Sequence, residues 1–155
     1  MLFRSDNAER LARIADSLVV ADTATVGLIS AIAVAACDRR DGAGQISTQI
    51  RKLTEAGAWT DASLALIANK LPRWKLRHLA YDEGEWHCTL SPQRDLPDWL
   101  DEPVETTHSN LPLALLKAFV EVKRRDGETA EDTRSPTAPR IRPEYRDLLC
   151  CDNFA

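Results

Sequence analysis

What this chain lacks narrows its chemistry before its contents are weighed. Its four cysteines, Cys37, Cys88, Cys150 and Cys151, include no Cys-x-x-Cys pair. A bridge between the adjacent Cys150 and Cys151 would be strained, so reduced thiols in a cytoplasm are the expectation. No Gly-x-Ser-x-Gly elbow occurs. Asp41-Gly42-Ala43-Gly44 neither follows a strand nor precedes a Lys-Ser/Thr pair, which argues against a phosphate loop. The longest stretch without a charge that tempts a membrane reading, Thr23–Cys37, holds 15 residues. A bilayer takes about 18 to 20, so this stretch reads as a core helix. Positive charge is not in excess either. A net charge of −4 supplies no electrostatic reason for nucleic acid or anionic membrane as a partner. Arg4 is followed by Asp6 and Glu9 with no apolar region behind them, so a secretory signal is not expected.

What remains is an ordinary globular composition, 44% apolar and 28% charged over 155 residues. That length fits one domain plus an appendage and buries enough surface to fold without a metal or disulfide. A first helix is predicted from about Asn7 to Val20, with Leu11, Ile14, Ala15 and Leu18 on one face. Asp22 or Thr23 can cap a second helix running to about Cys37. Its apolar residues lie on nearly every side, which predicts a place in the middle of a bundle. A third helix ends near Ala56, with Gly57 as its C-cap. Thr60 caps a fourth, oriented by Leu64, Ile67 and Leu71 and stopped by Pro72.

Residues 73–91, Arg-Trp-Lys-Leu-Arg-His-Leu-Ala-Tyr-Asp-Glu-Gly-Glu-Trp-His-Cys-Thr-Leu-Ser, alternate like a β-hairpin. A two-residue loop at Glu83-Gly84 would pair Tyr81 with Trp86 and put Lys75 and Arg77 on the same surface as Trp86 and Leu90. A three-residue loop, Asp82-Glu83-Gly84, pairs His78 with Cys88 instead. It gathers Trp74, Leu76, His78, Ala80, Trp86, Cys88 and Leu90 on one face. The separation of apolar from polar residues favours the three-residue loop.

Residues 92–110 read as an acidic connector, which Trp99 and Leu100 are expected to pin to the core. A last helix starts near Asn110 with Pro112 in its first turn. Leu115, Leu116, Phe119 and Val120 form its stripe, Lys117 and Glu121 an ion pair, and Lys123, Arg124 and Arg125 its basic end. The pattern weakens after Gly127. The expected division is a single α+β domain over 1–125 and, over 126–155, a Pro-rich linker ending in a short hydrophobic stub.

The sharpest candidate chemistry is His78 opposite Cys88, a thiol–imidazole pair that could serve a small enzyme or begin a metal site. The chain offers only His87 and His108 to extend such a set. Cys88 lies between Trp86 and Leu90, where a thiol behaves as a small hydrophobe. The packing reading is preferred, with no catalytic residue, metal or cofactor assigned. Helix, turn, helix and hairpin over 46–91 also allow a winged-helix DNA binder. However, the fourth helix offers Asp61, Ser63, Asn69 and Lys70, and the wing tip is Asp-Glu-Gly, a poor surface for phosphates. The polar hairpin face supplies the candidate partner-binding residues Lys75, Arg77, Tyr81 and His87.

The stretch 57–91, with Leu-Pro-Leu-Ala-Leu-Leu-Lys-Ala-Phe-Val-Glu-Val following at 111–122, resembles a family of small uncharacterised alphaproteobacterial proteins, rhizobial relatives in particular. That resemblance implies a cytoplasmic bacterial protein. It carries over no functional residue. The fold expected is α+β: an N-terminal helical bundle, then an antiparallel β-hairpin covered by a C-terminal helix. The function expected is a non-enzymatic protein–protein interaction or regulatory module, self-associating through sheet edges or tail.

Overall fold

The computed structural model describes residues 2–36, 48–92 and 102–132. Four helices come first: α1 (Leu2–Val20), α2 (Val26–Ala36), α3 (Thr48–Glu55) and α4 (Trp59–Lys70). Strands β1 (Trp74–Asp82), β2 (Glu85–Pro92) and β3 (Val104–His108) follow, and α5 (Leu111–Asp132) closes the order. The fold is α+β, with α5 packed on an antiparallel sheet of order β1-β2-β3. The expected loop at 41–44, Trp99, Leu100 and the tail beyond 132 lie outside the described residues, as do Cys37, Cys150 and Cys151.

The helix ends follow local chemistry. Thr25, rather than Asp22 or Thr23, caps α2: its Oγ1 accepts the Leu28 amide at 3.2 Å. Gly57 closes α3 at φ +72°. Its own amide reaches Thr54 O and that of Ala58 reaches Leu53 O, the two bonds of a Schellman motif. Asn110 Oδ1 accepts the Leu113 amide at 3.4 Å, which starts α5. Ala58 precedes α4 without a side-chain cap, so Thr60 does not play the part its sequence position suggests.

The central helix is α5, not α2. Leu113, Ala114, Leu115, Leu116, Ala118, Phe119, Val120 and Val122 are all buried. They pack against α1, α2 and α4 as well as against β2 and β3. On α2, by contrast, Ile29, Ile32, Ala33, Ala35 and Ala36 are buried while Val26 and Val34 are about half exposed. Its wet stripe runs through Gly27, Ala31 and Val34. Such small side chains forfeit little when left in water, so apolar composition alone did not force α2 inward. Helix α5 also continues past Arg125 to Asp132, which makes Lys123–Arg125 mid-helix residues rather than its basic end.

Candidate functional site: a two-faced sheet with one open edge

The hairpin uses the two-residue turn. Asp82 pairs with Glu85, and Tyr81 pairs with Trp86. Glu83 at φ 49° and Gly84 at φ 90° both have positive φ, as a type I′ turn requires. The objection to this register, that it mixes faces, is removed by a device absent from a strict alternation. Leu76 pairs with Leu90 and His78 with Thr89, which leaves Arg77 as an extra residue in a β-bulge. The bulge reverses the parity of β1 at its midpoint.

Two faces result. The inner face carries Trp74, Leu76, Leu79 and Tyr81 from β1 with Trp86, Cys88 and Leu90 from β2. Val104 and Thr106 of β3 extend it, opposite Leu90 and Cys88. Cys88, Leu90 and Val104 are buried there. Thr106 Oγ1 donates to Ala114 O at 3.0 Å, fastening this face to α5. Tyr81 remains 60% exposed, with its ring 5.1 Å from that of Trp86. The outer face carries Lys75, His78, Ala80 and Asp82, then His87 and Thr89, then Glu105 and Thr107. It opens into a groove of about 860 Å³ walled by α1 at Asp16 and Val19 and by α5 at Lys117, Glu121 and Arg124.

This arrangement corrects the expected pairing of His78 with Cys88. Leu79 is the residue opposite Cys88, and His78 faces outward across from Thr89. Burial pushes the Cys88 thiol up to about 11, away from the thiolate that a nucleophile or metal ligand needs. Among the described residues no group of three or more His, Cys, Asp or Glu side chains is placed to hold a metal ion. Within that set, too, no helix is long and apolar enough to cross a membrane.

The predicted partner-binding residues do not share one face. Lys75 and His87 lie on the outer face, Tyr81 on the inner face at its exposed end, and Arg77 in the bulge. Lys75 and Arg77 are exposed, and His87 is half-buried.

Sequence reasoning missed β3, which it read as connector, although Val104, Thr106 and Thr107 are β-branched and favour a strand. It also missed how β3 is held. Lys117 Nζ donates to Thr107 O at 3.1 Å, and Arg125 Nη1 to Pro103 O at 3.2 Å. Lys117 therefore does not serve the ion pair expected with Glu121, whose carboxylate faces Arg124 and Arg125 instead, at 3.5 and 3.8 Å.

The two sheet edges differ as a consequence. A two-residue turn closes on a hydrogen-bonded pair, so the bonded pairs of β1 with β2 are Asp82–Glu85, Ala80–His87 and His78–Thr89. Leu79 and Tyr81 then direct their amides and carbonyls outward. By the same alternation Thr107 directs its carbonyl outward from β3, where Lys117 meets it. The β3 edge is strapped by α5, while among the described residues no strand lies beyond β1.

Comparison with family models, with curated proteins and with solved structures finds no match to the chain.

Proposed function

We propose that this protein is a non-enzymatic interaction module that takes up an extended segment along the outer edge of β1. The observation that carries the reading is the contrast between the edges. Lys117 occupies the outward carbonyl of Thr107 in β3 and Arg125 that of Pro103 just before it, whereas Leu79 and Tyr81 offer theirs beside an exposed aromatic ring. Unpaired strand edges are templates for strand addition, with main-chain bonds giving affinity and alternate side chains giving selectivity. Tyr81 and Leu79 would recognise apolar side chains on the inner side, and His78 and Asp82 polar ones on the outer. The exposed carboxylates at the turn, Asp82, Glu83 and Glu85, repel phosphates and so favour a protein segment over DNA. The unbridged, buried Cys88 fits a reducing cytoplasm as the proposed compartment.

The test is selection of binders from a displayed library of random peptides, followed by titration against Tyr81→Pro. Proline at an edge position with an outward amide leaves the β2 ladder intact. Binders should lose affinity by about ten-fold or more while the circular dichroism spectrum is unchanged. Binders whose affinity ignores the substitution would count against the edge as the site.

A further inference from the structure

We propose that the strand received by β1 is the β1 of a second copy of this chain, in one antiparallel register centred on Ala80. The inference rests on the edge-binding reading above and adds the occupant and its alignment. The outward-directed residues Leu79 and Tyr81 must meet outward-directed residues of the incoming strand. Centring the pair on Leu79 would drive Tyr81 against the bulge at Arg77. Centring it on Tyr81 would place Leu79 opposite Glu83 in the partner's turn, where Glu83 and Gly84 have positive φ and continue no strand. Only the Ala80 centre pairs Leu79 with Tyr81 of the second copy and Tyr81 with its Leu79, completing four ladder bonds.

The side chains agree with that alignment. Ala80 meets Ala80 at the two-fold axis, in the non-hydrogen-bonded pair where strands approach most closely, and its small side chain leaves that approach unobstructed. On the outer face His78 stands opposite Asp82 of the second copy, twice by symmetry. Both side chains are exposed in the single chain. A two-fold axis perpendicular to the sheet keeps the inner faces on one side, so Leu79 packs beside the second copy's exposed tyrosine ring. At the end of the ladder Arg77 comes level with the second copy's Glu83. The bulge and the turn therefore limit the joint to residues 78–82, a short interface that forms a concentration-dependent dimer.

Sedimentation equilibrium of the full chain from micromolar to millimolar concentration, paired with amide hydrogen exchange, tests the proposal. Dimer should accumulate with concentration, and the Leu79 and Tyr81 amides should gain protection in parallel. The Ala80 amide, already in the β2 ladder, should be protected throughout. His78→Asp should weaken association by about ten-fold by opposing like charges. Adding Asp82→His in the same chain should restore it to within about three-fold. A strict monomer at millimolar concentration overturns self-pairing. So does a dimer that leaves the Leu79 and Tyr81 amides exchanging freely, or a charge swap that fails to restore association. A strict monomer whose selected peptides still protect those two amides overturns self-pairing alone. Peptides that leave both amides unprotected overturn the edge-binding reading itself.

Discussion

The two faces of the sheet are built from the same strands, one residue out of step, yet they present opposite chemistry. Cys88, Leu90 and Val104 are buried on the side that packs against α5, with Leu79 half-buried beside them, while His78, His87, Thr89 and Glu105 line an open groove that reaches the margin of Cys88. A side chain's neighbourhood here is decided by the parity of its position, and parity is set by the turn and the bulge. That is why a histidine and a cysteine that looked like partners lie on opposite sides of one strand pair.

The contrast breaks most visibly on substitution. Leu90→Ala empties a fully buried position and should cost about 2–5 kcal/mol in denaturant unfolding. His87→Ala, three positions earlier on the same strand, should stay within about 0.5 kcal/mol. Equal losses would mean that the outer face is packed as tightly as the inner.

Deletions sharpen the point. Removing Arg77 takes out the extra residue and leaves every other β1–β2 pair in place, so stability should change by about 1 kcal/mol or less. Removing Ala80 instead forces Leu79 outward and turns His78 inward, opposite Cys88. That change should cost about 2–4 kcal/mol through lost burial and desolvation of the imidazole. Both are read from the same unfolding midpoints. A reversed order would mean that the bulge does not set the parity of β1.

The last contrast is a pH dependence confined to the inner face. Cys88 ionises at about 11 when folded, against 9.0 for an ordinary thiol. Below pH 9 the thiol is protonated in both states, and the folded form keeps its full advantage. As pH rises from 9 through 11 the unfolded chain releases the proton first, and stability falls by about 2–3 kcal/mol at most. Subtracting the same titration of Cys88→Ala isolates this contribution. A difference curve that is flat between pH 9 and 11 would place the thiol in water.

Much of the architecture was legible because it rests on local rules. Gly57 announced the end of α3, Pro112 the first turn of α5, and the apolar run of 113–120 its burial. The hairpin was legible as a hairpin, and the inward placement of Trp86, Cys88 and Leu90 followed from alternation on β2. Its register was not legible, because a bulge has no residue signature of its own. Arg77 fits an outward strand position as well as it fits a bulge, and the three-residue loop satisfied the same apolar separation without one. The strand β3 is only five residues long, stands beyond an acidic, Pro-bearing stretch, and is stabilised by arms from a helix that follows it. Those long-range bonds leave no trace in a window of local sequence. The candidate site was visible only in part: Tyr81 was singled out, but the edge that gives it meaning emerges from strand order.

The arms from α5 to β3 have a mechanical consequence. Lys117 and Arg125 are eight residues apart on the helix, and their acceptors Thr107 and Pro103 are four apart along the strand. Eight helical residues rise about 12 Å and four extended residues about 13 Å, so the two spacings match like rungs on equal rails. Sliding α5 by one residue in either direction would strain both arms together. The helix and the far strand are thereby locked against shear. The segment proposed to dock at β1 would meet a sheet whose far edge is held to α5, which would reduce the freedom lost on docking.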